Sequence, residues 1–529
     1  MNDKSNQYPL DVFSVKEFGV DQWLKNNMIW PILDEESISI GNRIVLEYIS
    51  LIKKVDDVRL KALLDAQNKI VMELSGIFHS LLVLKRLRDS RLIPLYRPNT
   101  IFFPSIIQNK HKINGVYDRY KDKLIPSNNN NLKKSIKASL LEIYKNLLVG
   151  GKPESTVYSL SAKYNFYLKT YANNNNKNVK FYSLNSYKRS SSLIGSNSID
   201  IKSIKEQIID IIVELGSSYN LKIQDNIIWH LDNLIDEMFQ KTSLLIDFHY
   251  QKLRRKPTSE FFIPNLGHIN YRAFGVAAKL AGHKVIGSSH GNSIGMFDLP
   301  LRAFIDLSIV DKFLVVTDYA AKNYSNLQKK YLAGISDTQV FSVNSDVYKV
   351  LLKKHNSLTK IEKLKNIMII EYPLTETRHN IYSFWPYQLK LMLKIGAFMR
   401  AIGLKTIMKR HPDRVEESRS IYEEVYDQQL TTPFEDVFEQ ADAFLFMNIT
   451  STTFGFAMTT NRPIFIFSTW LEEVWEEMIP LIKERCIVIP SWIDEKGDFY
   501  YDEVYFTKML KSDDIWKINY DAVEAFMIP

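Results

Sequence analysis

Leu404-Lys-Thr-Ile-Met-Lys-Arg-His-Pro412 is the stretch on which the fold turns. Its apolar centre is too short for a helix and does not alternate with polar residues, which predicts a strand covered on both faces. Gly403 stops the helix expected before it, over 387–402, and Pro412 ends the strand on a rigid turn. The pattern repeats outward. Asn366-Ile-Met-Ile-Ile-Glu371, Ala443-Phe-Leu-Phe-Met447, Pro463-Ile-Phe-Ile-Phe467 and Cys486-Ile-Val-Ile-Pro490 read as strands of the same kind, with helices expected over 415–429 and 452–459. Strands of this type alternating with helices predict a parallel sheet layered by helices.

An earlier series has the same form. Thr156-Val-Tyr-Ser-Leu160, Val179-Lys-Phe-Tyr-Ser-Leu184, Glu260-Phe-Phe-Ile-Pro264, Lys284-Val-Ile-Gly-Ser-Ser289, Asp311-Lys-Phe-Leu-Val-Val-Thr317 and Gln339-Val-Phe-Ser-Val343 are its strands. A long helical stretch over 201–252 and a helix over 269–281 lie between them, and lysine-rich 353–365 reads as a linker. Before this series, 44–52 and 58–87 carry apolar residues at three- and four-residue spacing. The runs Asn128-Asn-Asn-Asn131 and Asn173-Asn-Asn-Asn176 mark exposed connections. The expected fold is therefore α/β, two Rossmann-like domains facing across a cleft, with an N-terminal helical region. The expected boundaries are 1–150, mainly helical and part of or packed on the first domain, then 151–355 and 356–529.

Composition narrows the class. The chain has 529 residues, 45% of them hydrophobic, which supplies several cores and excludes a disordered chain. Cys486 stands alone, so a disulfide framework and multi-cysteine zinc are excluded. Lys+Arg 68 against Asp+Glu 60 leaves +8, and a pI near 9.0 leaves room for contact with anionic lipid or acidic substrates. No uncharged apolar run approaches the roughly 18–20 residues of a spanning helix, and the first residues lack a basic segment followed by an apolar one. A cytoplasmic protein is expected, with peripheral contact at the inner face of a membrane left open. The 28 Tyr and 29 Phe are dispersed with no dense basic stripe, so nucleic acid is not an expected partner. P-loop and Gly-x-Gly-x-x-Gly signatures are absent, and no metal site is expected.

In open parallel sheets ligands bind beyond the carboxyl ends of the strands. Three constellations fall there. Ser288-Ser-His-Gly-Asn292 puts His290 at a strand end before a glycine turn, where an imidazole suits proton removal from a hydroxyl or the fixing of a turn. Lys409, Arg410 and His411 bring cations and an imidazole together beside a rigid proline, either a phosphate clamp or a solvated basic loop. Thr450-Ser-Thr-Thr453 places hydroxyls at a helix start, either an anion site or an ordinary N-cap. Glu371, at another strand end, reads as a hydrogen-bond acceptor, a catalytic carboxylate or a helix cap. Asn265, His268 and Asn292 stand where they could line the opposite lip of the cleft.

The His290-Gly291 turn, the Lys409-Arg-His-Pro412 segment and the Ser/Thr helix start followed by Asn461-Arg-Pro-Ile-Phe-Ile-Phe467 resemble GT-B glycosyltransferases of bacterial surface polysaccharide synthesis. The nearest groups are the capsule-type Kdo and sialic acid transferases and the CDP-glycerol glycerophosphotransferases. The resemblance spans about residues 260–489. It implies metal-independent transfer of a sugar from a nucleotide-activated, CMP-linked donor to a hydroxyl of a glycan or glycolipid, with the donor as substrate and no cofactor. It implies that His290 activates the acceptor, that His411 meets the donor phosphate and that Ser451 and Thr452 grip it. The strand-end reading itself adds Glu371 as a second catalytic candidate, Lys409, Arg410, Thr450 and Thr453 on the donor nucleotide and phosphate, and Asn265, His268 and Asn292 on the acceptor side. Asn448 stands where the glycerophosphotransferases carry an acidic residue, and Asn292-Ser293 replaces Thr-Pro. A CDP-polyol phosphotransferase of the same fold, and a non-catalytic scaffold docked on a membrane or synthase, are the alternatives.

Overall fold

The computed structural model describes residues 6–26, 28–96, 155–161, 165–184, 201–289, 295–343, 347–359, 361, 363–372, 374, 385–411, 415–495 and 498–527. His290, Asn292, Pro412 and the Asn128 run lie outside the described residues. The first described strand, β1 (Gln7–Pro9), pairs in parallel with β2 (Ile93–Leu95), and the helices between them include Asp34–Lys53, Val58–Asp65 and Asn68–Asp89.

Six strands follow as one all-parallel sheet: β3 (Ser155–Ser159), β4 (Lys177–Phe181), β5 (Glu260–Ile263), β6 (Lys284–Ser288), β7 (Lys312–Val315) and β8 (Gln339–Ser342). Their order is β4-β3-β5-β6-β7-β8. A second parallel sheet holds β9 (Asn366–Ile370), β10 (Lys405–Lys409), β11 (Gln428–Leu430), β12 (Ala443–Phe446), β13 (Ile464–Phe467) and β14 (Ile487–Ile489) in the order β11-β10-β9-β12-β13-β14. The antiparallel hairpin β15 (Ser491–Ile493) and β16 (Phe499–Tyr501) extends from the β14 edge. The two doubly wound units match the expected α/β architecture. In each, the chain starts inside the sheet, winds to one edge and then returns to the other side. The reversal falls between β3 and β5 in the first unit and between β9 and β12 in the second, the two places where adjacent crossovers part to open a crevice.

Burial explains why these strands were readable. Every residue of β12 and β13 is buried, as are Ile367 to Ile370 of β9, so neither face needs polar residues. Three expectations need correction. The helix expected over 415–429 ends with Val415–Glu423, and Gln428–Leu430 forms edge strand β11, whose half-buried polar residues carry no strand signature. The stretch over 201–252 is two helices, Lys202–Ser218 and Asp225–Leu253, separated by a turn in which Asn220 has φ 51°. The linker expected over 353–365 begins inside a helix, Val347–Asn356, whose His355 is buried against Phe438 and Phe456, with Nδ1 3.0 Å from Thr459 Oγ1.

The units meet through loops that follow strand carboxyl ends. Phe297, beyond β6, forms an antiparallel bridge with Val474, beyond β13; Asp298 N donates to Glu473 O (3.0 Å) and Trp475 N to Met296 O (2.9 Å). The N-terminal region touches both units. Arg272, fully buried in the helix Ile269–Leu280, donates through Nε to Asp65 O (3.1 Å), while Tyr387 Oη donates to Ile32 O (3.0 Å) and Trp30 packs edge-on against Trp385. Among the described residues no helix is long and apolar enough to cross a membrane.

The helix Trp385–Ala401 lies so close to the turn after Val415–Glu423 that a Cβ at Gly396 would overlap Val425 Cγ1 and sit 3.2 Å from Tyr426 Cζ. Gly396→Ala should therefore lose about 1–3 kcal/mol by overpacking, read as a lower thermal midpoint; an unchanged midpoint would show that the two elements can separate without cost.

Candidate functional site

β9, β10 and β12 are adjacent, and the register pairs Ile370 with both Lys409 and Phe446, so their carboxyl ends are level. The residues that follow them assemble one site at the reversal of the second sheet. Glu371 continues β9, and its N–H donates to Lys409 O (3.0 Å). Its carboxylate is buried, and Oε2 accepts from Arg410 Nε and from the His411 N–H, both at 2.8 Å. Burial raises the Glu371 pKa, and the Arg410 charge opposes the rise.

Side chains alternate along a strand, and the basic cluster is split accordingly. Arg410 turns inward, buried, with Nη1 donating to Gln429 Oε1 and its guanidinium 5.2 Å from the Tyr422 ring centre. Its charge is committed to Glu371, Gln429 and Tyr422. The most buried position of the expected phosphate-binding cluster is thus occupied by an intramolecular ion pair. The same contacts make Glu371 an anchor that joins β9 to the turn after β10 rather than an open strand-end carboxylate. Lys409 is buried and its Nζ donates to Arg410 O (2.7 Å); burial lowers its pKa against the pull of Glu371. His411 is half-buried at the strand end, its backbone held by Glu371.

After β12 the chain makes an Asx turn. Asn448 Oδ1 accepts from Thr450 N (2.7 Å) and from Thr450 Oγ1. Asn448 is buried, and its Nδ2 has no hydrogen-bond partner among the described residues. Ser451 is the N-cap of Thr452–Met458, accepting from Phe454 N at 3.2 Å, with Thr452 and Thr453 as the first helical residues. The cap reading of Ser451 is thus the observed one, and its hydroxyl proton remains a donor. Gln388 Nε2 donates to Met447 O (3.1 Å), so the helix after β9 is fastened to the end of β12. Sequence reading singled out neither Gln388 nor Gln429; a glutamine inside an apolar helix at 388 was the available signal for the first.

On the first unit, Asn265 is exposed and its Oδ1 accepts from Gly267 N (3.0 Å), a loop-forming bond. His268 is the N-cap residue of Ile269–Leu280, with its ring 5.5 Å from Tyr271; burial, aided by Lys69, lowers its pKa and favours the neutral imidazole. β6 carries the chain to buried Ser289, and His290 and Asn292 beyond it are outside the described residues. The Asn461-Arg462 pair lies before β13, away from the site. Asn461 Nδ2 donates to Leu358 O (3.2 Å) and Arg462 Nε to Ala441 O (3.2 Å), so this part of the motif ties down the connection between the units.

No family model and no curated protein matches this chain. Among solved structures, a protein assigned as a UDP-N-acetylglucosamine 2-epimerase from Listeria monocytogenes is similar over 70% of this chain and 90% of its own, with 10% identity and a TM-score of 0.36. HepE from Anabaena, in complex with UDP and glucose, covers 71% of this chain and 95% of its own at 8% identity and a TM-score of 0.35. At TM-scores this low the likenesses carry no argument about function.

The Glu371–Arg410 pair has side chains 4% and 1% exposed, so removing one partner strands a buried charge. Arg410→Met should cost about 3–5 kcal/mol at neutral pH. With Arg410 gone only the His411 N–H and the Lys409 charge oppose the burial that raises the Glu371 pKa, so the loss should shrink as the pH falls and the carboxyl protonates. Adding Glu371→Gln should restore part of the stability. Denaturation of the two variants across pH checks this; a loss independent of pH would remove the pair from the account.

Proposed function

We propose that this chain is a glycosyltransferase that moves a sugar from a nucleotide-activated, CMP-linked donor to a hydroxyl of a surface glycan or glycolipid. The observation that supports it best is that Lys409 and His411, at the end of β10, and the Asn448–Ser451 turn, after β12, flank the level end of β9 at the reversal of the sheet. Lys409 supplies positive charge, Thr450 and Ser451 supply hydroxyls, and Asn448 Nδ2 is a buried donor without an acceptor among the described residues. Such a set suits a phosphate whose negative charge grows as the glycosidic bond breaks. Glu371 and Arg410 act as positioning residues, because they fix the backbone that carries His411. His290 is proposed, from its place after β6 in sequence, to take the proton of the acceptor hydroxyl; Asn292, Asn265 and His268 are proposed for the acceptor side.

In a thermal-shift panel of CMP, CDP, UDP, GDP and dTDP, the cytidine nucleotides should raise the midpoint most, because a ligand that binds only the folded state stabilises it. His411→Ala should lose that shift while the ligand-free midpoint stays unchanged. No shift with any nucleotide would overturn the reading and favour a scaffold. Tracing donor phosphorus separates sugar transfer, in which it stays with the nucleotide, from polyol phosphate transfer, in which it enters the product.

A further inference from the structure

The hairpin β15–β16 presents its two faces to different surroundings. Phe499 and Tyr501 point inward: Phe499 stacks on Trp470 (5.7 Å, 23°) and meets Phe467 edge-on (5.5 Å), and Tyr501 packs on Phe398 (5.9 Å). The cross-strand partners Trp492 and Tyr500 point outward, 50% and 39% exposed. Their rings are near-parallel, 16° apart with centroids 6.2 Å apart, an offset stack. Lys394, from the helix Trp385–Ala401, places Nζ 5.1 Å from the Tyr500 ring centre and donates to Phe499 O (3.3 Å). The order Lys394, Tyr500, Trp492 forms a column whose last ring has a broad exposed surface. The buried aromatics beneath hold it in one arrangement before any ligand arrives.

We propose that Trp492 and Tyr500 form a stacking platform for a neutral saccharide unit, separate from the crevice between β9 and β12. An indole face carries negative quadrupole charge and attracts the weakly positive C–H face of a pyranose ring, as it attracts cations more strongly. The rim decides between partners. Asp498 is buried and paired with Lys390 and Lys394 (both 3.6 Å), which leaves half-buried Asp494 and Asp502 and exposed Glu495 and Glu503 as the acidic groups on the hairpin and its exit among the described residues. An anionic lipid surface would be repelled by this rim, since lipid-seeking aromatic patches are flanked by Lys and Arg. Carboxylates are good acceptors for sugar hydroxyls. β14, from which the hairpin emerges, is two strand spacings from β12, about 10 Å, on the same carboxyl side of the sheet. That spacing suits an extended glycan held at the platform while its end occupies the crevice. The choice of a saccharide as occupant rests on the glycosyl-transfer reading.

The test titrates the full chain with maltohexaose, cellohexaose and hexa-N-acetylchitohexaose, following tryptophan fluorescence and saturation-transfer NMR, with a sialic acid hexamer as the anionic comparison. Binding of at least one neutral oligosaccharide is expected, weaker or absent binding of the anionic one, and a loss of about tenfold or more in Trp492→Ala. Trp492→Phe should retain part of the affinity, and both variants should keep the wild-type thermal midpoint. No binding of any neutral oligosaccharide overturns the platform, as does equal binding by Trp492→Ala. Binding to mixed phosphatidylcholine–phosphatidylglycerol vesicles, or self-association abolished by Trp492→Ala, in the absence of saccharide binding assigns the face to lipid or to a second copy and also overturns it. The nucleotide shift is read in parallel. A shift without saccharide binding sinks the platform alone, and saccharide binding without a shift sinks the transferase reading alone.

Discussion

The ion pair between Glu371 and Arg410 is the constraint on which the second unit depends. It joins residues that follow two neighbouring strands, and one carboxylate oxygen serves both the guanidinium and the His411 N–H. A charged pair taken out of water gains little net stability compared with apolar packing. Its effect here is geometric: it holds the backbone of Arg410 and His411 against the end of β9. Tyr422 and Gln429 close the remaining sides of the guanidinium, so the helix and edge strand that follow β10 are held by the same group.

The end of β12 is organised by a different device. Asn448 folds its amide oxygen over the Thr450 N–H, which lets the strand pass into a short helix without leaving backbone donors unmet. Gln388 reaches the same strand end from the helix after β9. Polar side chains thus tie β9 to the residues after β10 and the helix Trp385–Ala401 to the end of β12, where apolar contacts alone would tolerate sliding.

The N-terminal helices add a third layer that contacts both units. Trp30 donates to His79 Nε2 (3.0 Å), which leaves the ring proton on Nδ1, facing Ser37 Oγ (3.0 Å), so the imidazole is held neutral in the core of this layer. Trp30 also touches Trp385 at the start of the helix after β9. The layer therefore bears on the element that carries Gln388 toward the crevice and Lys394 toward the outer hairpin.

Sequence alone determined the two parallel sheets, because strands buried on both faces must be written as unbroken apolar runs, and Asn366-Ile-Met-Ile-Ile370 or Ile464-Phe-Ile-Phe467 admits little else. It also pointed to the strand ends, since ligands in such sheets collect there. The edge strand Gln428–Leu430 was not legible, because a half-buried edge needs no apolar pattern and its identity comes from pairing with β10. Nor was the division of labour within Lys409-Arg-His411: three basic residues look alike in sequence, and only the neighbouring Glu371, Gln429 and Tyr422 turn the middle one inward. Local pattern reports what a residue must be covered by, whereas the partner of a charge is chosen by chain segments far away, and that choice belongs to the tertiary structure.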